Sequence, residues 1–214
     1  SDSRPLRVRE LSDDWLSFKE GSSASVVLSP DVDSGYDRLI EGPWVTFHGG
    51  YYYLFYSGDN CCGAGAHYAV MVARSAHPQG PFTRYSTAHG TRTSVILHAS
   101  PGWVAPGHNS VVTDEEGRYW MYYHAIPAEA FHHKQYGRVM LRRRIRFQDG
   151  WPRLADDGPD RGGATGTYTA TVTNPLLPSG AEPWATDRYG YYYYMQTMGK
   201  RRVLGKTRGL GRLG

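Results

Sequence analysis

Val45-Thr46-Phe47-His48-Gly49-Gly50-Tyr51-Tyr52-Tyr53-Leu54-Phe55-Tyr56 reads as a strand, a glycine turn and a second strand. Aromatic and β-branched runs suit a pleated, packed surface, and Gly-Gly supplies the turn. The pattern returns twice. Val112-Thr113 leads to Gly117 and then Arg118-Tyr119-Trp120-Met121-Tyr122-Tyr123, and Ala185-Thr186 leads to Gly190 and then Tyr191-Tyr192-Tyr193-Tyr194-Met195. The starts at 45, 112 and 185 are 67 and 73 residues apart, and each lies five residues before its glycine. Between the first two copies, residues 67–73 and 93–98 have room and composition for two more strands. A four-stranded unit repeated along a chain is the mark of a β-propeller blade. The expected fold is therefore all-β, a propeller of which about three to four blades are present. A ring closes with at least about four blades, so the chain is expected to belong with further blades, or to close by association.

Composition agrees. The 214 residues include 17 Tyr, 6 Trp and 6 Phe, with 26 Gly and 13 Pro to punctuate short strands. Charge is nearly balanced, 24 basic against 20 acidic residues, without the basic stripe of a nucleic-acid binder. The densest basic run, Arg142-Arg143-Arg144 with Arg146, lies on an expected strand. Alternation puts Arg142, Arg144 and Arg146 on one face, expected to be solvated, and Arg143 with Leu141, Ile145 and Phe147. No apolar run approaches the 18 residues of a membrane span. The two cysteines, Cys61 and Cys62, are adjacent; they are expected to pack in a turn or pocket wall rather than to form a disulfide framework or zinc site. No leader is visible at Ser1–Pro5; the full protein is expected outside the cytoplasm, extracellular or periplasmic.

In a propeller the innermost strands line the central channel. Counting back from each repeat gives Glu41 before Val45, His108 before Val112 and Glu182 before Ala185, which the repeat sets at equivalent heights. Two carboxylates facing one pocket are what glycosidic hydrolysis needs, one protonated to donate to the leaving oxygen and one ionised to activate water. Trp44 or Trp103 would supply an apolar wall or stack on a sugar face, and both read equally as core residues. His108 reads also as a structural histidine.

Glu41-Gly42-Pro43, the tyrosine-rich strand after it, Cys61-Cys62-Gly63, Ala73-Arg74-Ser75, Gly80-Pro81-Phe82, Pro106-Gly107-His108-Asn109-Ser110 and Asp149-Gly150-Trp151-Pro152 stand in an order and spacing that resemble glycoside hydrolase family 43. The resemblance covers residues 5–155. It implies the later blades of a five-bladed propeller that hydrolyses arabinose- or xylose-containing glycans by inversion, with a plant-type polysaccharide or oligosaccharide as partner and neither nucleic acid nor membrane. The Cys-Cys-Gly element leans toward arabinan-active members. By resemblance Glu41 is the general acid, and His108 is the axial histidine that contacts a central metal such as calcium, often through water. Trp44, Cys61, Cys62, Trp103, Asn109 and Arg138 fall on the substrate-binding side. The family's base, an Asp in the opening strand, has no match before Glu41, nor has its second Asp. The tail from Asn174 to Trp184 resembles that opening strand, with Glu182 in the base position. The expected organisation is thus 1–155 as later blades, 156–166 as linker, and 167–214 as the first blade of a second or permuted unit. A non-catalytic carbohydrate-binding propeller is the alternative.

Overall fold

The computed structural model describes residues 4–155, 181–188, 190–198 and 201–208. The expected linker over 156–166 lies outside the described residues, as do residues 167–180. The described chain is all-β, apart from two one-turn helices. In chain order it runs β1 (Leu6–Val8), β2 (Ser25–Leu28), β3 (Ile40–His48), β4 (Tyr51–Asn60), β5 (His67–Ser75), β6 (Thr83–Arg84), α1 (Tyr85–His89), β7 (Val95–Leu97), β8 (Trp103–Thr113), β9 (Tyr119–Pro127), α2 (Ala128–His132), β10 (Val139–Gln148), β11 (Trp151–Leu154), β12 (Ala181–Arg188), β13 (Tyr191–Met198) and β14 (Arg201–Thr207).

These strands make three successive antiparallel meanders and one small hairpin. The first blade is β3-β4-β5, with the short β6 and β7 both on the free edge of β5. The second is β8-β9-β10-β11 and the third β12-β13-β14. β1 and β2 pair separately. Each repeat read from the sequence is the inner hairpin of one blade, with Val45 opposite Leu54, Val112 opposite Trp120 and Ala185 opposite Tyr194.

The side-chain period of two explains why the strands read as unbroken apolar runs. A blade between two others is buried on both faces, so odd and even positions both need apolar side chains. On one face of the second blade, Val111, Met121, Tyr123, Leu141 and Ile145 pack with Tyr53, Phe55, Val70 and Val72 of the first. On the other, Val112, Tyr122 and Met140 pack with Ala185, Tyr192 and Tyr194 of the third. The outer face of the first blade, Leu54, Tyr56, Met71 and Ala73, is covered by Val27 and Leu28 of β2.

Arg142 corrects the reading of the arginine run. It shares the Met140 face, is 2% exposed, and its guanidinium lies 4.5 Å from the centroid of the Trp120 ring. The third blade covers this face, so it is an interface and not a solvated surface; only Arg146 is exposed.

The arc is an incomplete propeller. Its open ends expose apolar side chains that a neighbouring blade would bury: Val45 and Phe47 on β3, and Leu204 on β14, are 47%, 55% and 67% exposed.

Candidate active site

The inner strands β3, β8 and β12 each carry a bulge near their start. The register slips between Glu41 and Trp44, between Gly107 and Ser110, and between Ala181 and Trp184. The first bulged residue is left-handed in all three: Gly42 at φ 55°, His108 at 50° and Glu182 at 52°. Glycine takes that conformation freely, whereas a histidine or glutamate held there costs on the order of 1–3 kcal/mol. Such strain clusters at functional sites. The equivalence expected from counting is therefore displaced by one residue in the first blade. Gly42, His108 and Glu182 correspond, while Glu41 corresponds to Gly107 and Ala181. The bulge falls at the same place in all three strands, but Val45 is matched in space by Val111 rather than Val112, and Glu182 stands three residues before Ala185 where Glu41 stands four before Val45, so counting back from the repeats puts Glu41 one residue out of step.

The three bulges meet at a cavity of about 260 Å³ lined by Gly42, Pro43, Trp44, His108, Asn109, Glu182, Pro183 and Trp184. Trp44 comes from the first blade and Trp184 from the third, giving the cavity two indole walls. Asn109 is 3% exposed, and among the described residues neither its amide nitrogen nor its amide oxygen has a hydrogen-bond partner. Buried polar atoms are normally satisfied, so Asn109 offers one donor group and one acceptor to whatever occupies the cavity.

Glu41 does not itself line this cavity but adjoins it through Gly42. Its Oε1 accepts a short hydrogen bond from the hydroxyl of Tyr68. Tyr68 is 1% exposed; burial, then the Glu41 carboxylate, pushes its hydroxyl far above the ordinary phenol range, so it remains the donor. Gly107 fits against Tyr68 because it has no side chain: a Cβ there would lie 2.1 Å from the tyrosine ring. The His108 N–H donates to Ser57 Oγ at 2.8 Å, tying the second bulge to the strand that pairs with Glu41.

His124, on β9, is fully buried and its ring is stacked 5.8 Å from Tyr68 and 6.2 Å from His108. Its Nδ1 accepts the Glu182 backbone N–H at 3.2 Å. The Glu182 Oε2 accepts from Thr197 Oγ1 at 3.0 Å, and Glu182 is otherwise exposed. Burial, with the charges of Arg138 and His108 nearby, holds His124 well below the ordinary histidine range. The unfolded chain therefore takes up a proton that the folded protein refuses. That contribution to stability is present above pH ~6.5 and is lost as pH falls below it, with a limiting slope of about 1.4 kcal/mol per pH unit. Urea melts between pH 7 and 5 are expected to show this loss, and the same melts on His124→Asn to lack it.

Not every expected residue reaches the site. Trp103 packs against the hydrophobic core between the first two blades and does not line the cavity. Arg138 is half-buried, and its charge acts on both Tyr68 and His124. Cys61 and Cys62 sit in the β4–β5 loop, at the Glu41 end of the blade but off the cavity lining, and they are bonded to each other. This overturns the expectation of unbonded packing cysteines. Adjacent cysteines cross-link almost no chain, so Cys61→Ser with Cys62→Ser is expected to change stability by only about 1 kcal/mol in thermal melts.

The residues around His108 do not fit direct coordination of calcium, which takes six to eight oxygen ligands. Among the described residues no three carboxylate, imidazole or thiol groups converge to hold a metal. With its Nδ1 committed as acceptor, neutral His124 carries its proton on Nε2 and has no lone pair to give.

Residues 2–152 match the profile of Glycosyl hydrolases family 43. The chain belongs to that family. Among curated relatives, probable arabinan endo-1,5-alpha-L-arabinosidase A of Aspergillus flavus is 32% identical over 140 residues, covering 61% of this chain and 44% of that protein. The corresponding B protein of the same organism is 31% identical over 130 residues, 56% and 36% of the two chains. Among solved structures, the alpha-L-arabinanase of Cellvibrio cellulosa superposes with a TM-score of 0.59 at 25% identity, covering 71% of this chain and 50% of that one. An exo-1,5-alpha-L-arabinanase from a bovine ruminal metagenomic library gives 0.57 at 26%, covering 70% and 48%. The chain spans half or less of each of these proteins.

Tyr68, His124 and Trp184 are the site residues that sequence reasoning missed. His124 had a visible signal, a lone polar residue inside the apolar run Tyr122-Tyr123-His124-Ala125-Ile126. Tyr68 had none, being one of 17 tyrosines.

Proposed function

We propose that the protein is a glycosidase acting on arabinose-containing glycans by inversion, and that this chain carries the acid half of its site. Family membership, with Glu41 in the motif Glu41-Gly42-Pro43 held by a buried tyrosine beside a tryptophan-walled cavity, is the observation that carries the reading. Arabinan as the substrate is supported by the likeness to arabinan endo-1,5-alpha-L-arabinosidases.

In this reading Glu41 gives its proton to the leaving glycosidic oxygen as the bond to the anomeric carbon breaks. A second carboxylate takes a proton from the water that attacks that carbon from the opposite face. Trp44 and Trp184 offer flat apolar surfaces to the sugar rings, and the Asn109 amide offers hydrogen bonds to their hydroxyls. The Tyr68 hydroxyl occupies one lone pair of Oε1, which sets the carboxyl plane and leaves Oε2 to face the substrate.

The base position belongs to Glu182. Its carboxylate reaches one methylene further than the family's Asp, and an inverting pair must leave a water's width, roughly 6.5–9.5 Å, between the carboxyls. The bond from Thr197 to Glu182 Oε2 favours a second reading, in which the site binds glycan without turnover. Linear α-1,5-arabinan separates the two. Release of reducing sugar whose first-formed anomer is inverted, followed by proton NMR, supports hydrolysis. Saturable arabino-oligosaccharide binding without release supports the binding module. Neither binding nor release removes both.

A further inference from the structure

We infer that His124 is a positioning residue, a latch that holds the Glu182 bulge through one tautomer of its imidazole. The inference does not depend on turnover at the site. His124 lies opposite Gly107 on one side and Met140 on the other, in the middle of the second blade. From there one ring serves all three blades. Its face stacks on Tyr68 of the first, it neighbours His108 of its own, and its Nδ1 receives the Glu182 N–H of the third.

Glu182 needs such a partner. As a non-glycine residue at φ 52° it holds a backbone conformation that side chains disfavour, and that conformation persists only when its surroundings impose it. The bulge also takes its neighbourhood out of the regular ladder with β13, since the register slips between Ala181 and Trp184. Two hydrogen bonds from outside the third blade fix the strand across that gap: Glu182 N–H to His124 Nδ1 at 3.2 Å and Ala185 N–H to Ser110 Oγ at 3.0 Å. The first lies inside the bulge and the second just after it.

An imidazole nitrogen that accepts an N–H must keep its lone pair, so the proton of neutral His124 sits on Nε2. That Nε2 is buried and has no hydrogen-bond partner among the described residues. A histidine kept only to fill the core would be free to take the other tautomer, or to be replaced by a ring without nitrogen. The latch permits neither.

The test uses the protein as it stands, with two substitutions and two readouts. His124→Asn puts an amide oxygen at the place of Nδ1 and keeps the acceptor. His124→Phe keeps a flat ring against Tyr68 and removes the acceptor. By amide hydrogen exchange, the Glu182 amide is expected to be protected in the wild type and in His124→Asn, and to exchange about tenfold faster or more in His124→Phe. The Ala185 amide, held by Ser110, is expected to stay protected in all three. Equal protection of Glu182 in His124→Phe overturns the latch. So does a matching loss at Ala185, which would mark a general loosening of the blade. Nitrogen-15 NMR of the wild type decides independently should His124→Phe not fold: an unprotonated Nδ1 with a protonated Nε2 supports the latch, and a protonated Nδ1 overturns it.

Discussion

Glu41→Gln is expected to lower kcat/KM on linear arabinan by roughly 10²–10⁴-fold, the share that a positioned general acid contributes, in a form of the protein whose ring is complete. The substitution is close to isosteric, and the glutamine side-chain oxygen can still accept from the Tyr68 hydroxyl. The amide cannot deliver a proton, so the loss falls on the step in which the glycosidic oxygen leaves. Two controls distinguish this from a folding defect. Oligosaccharide affinity is expected to stay within about tenfold of the wild type, because the cavity walls formed by Trp44, Asn109 and Trp184 are untouched. An aryl arabinoside whose phenol leaves without protonation is expected to lose far less activity than arabinan. Undiminished turnover of arabinan by Glu41→Gln would end the assignment of Glu41 as the acid.

Gly107→Ala is expected to destabilise the protein by roughly 3 kcal/mol, at the upper end of overpacking costs. The new Cβ would lie 2.1 Å from Cδ1 and from Cε1 of Tyr68, a ring that is 1% exposed and has no free end to swing away. Either the ring moves and gives up its bond to Glu41, or β8 backs away from β5. For a chain of this size the cost corresponds to a fall of about 6–12 °C in melting temperature. Gly102→Ala is the matched control. A Cβ there meets nothing within 4 Å, and its melting temperature is expected to stay within about 2 °C of the wild type. If Gly107→Ala melts with the control, the contact between β8 and the Tyr68–Glu41 pair is not the tight one described.

How far the sequence carries the reader depends on the kind of feature. The tyrosine-rich hairpins were legible because strand, turn and strand are local events with local chemistry, and because the unit recurs. The family motifs around Glu41 and His108 were legible for the same reason. The inner-strand bulges were not. Only one of the three left-handed positions is a glycine, so composition marks Gly42 and is silent at His108 and Glu182. Arg142 was misread because alternation says which residues share a face and not what covers that face. His124 and Tyr68 stayed hidden among residues that look like core, since their roles come from partners 58 and 27 residues away in the chain.

The sequence by itself determined an all-β chain of repeated hairpins, the order of its blades, and Glu41 and His108 as residues at the inner strands' starts. These follow from short-range rules: period-two patterning, turn residues, and motifs a few positions long. Only the tertiary structure decided that Gly42, His108 and Glu182 are the true equivalents, that Trp44 and Trp184 wall one cavity, and that a buried tyrosine and histidine set the two glutamates. Those facts depend on how one blade lies against the next. That stacking is governed by side-chain packing and hydrogen bonds between segments far apart in the chain, which local spacing does not encode.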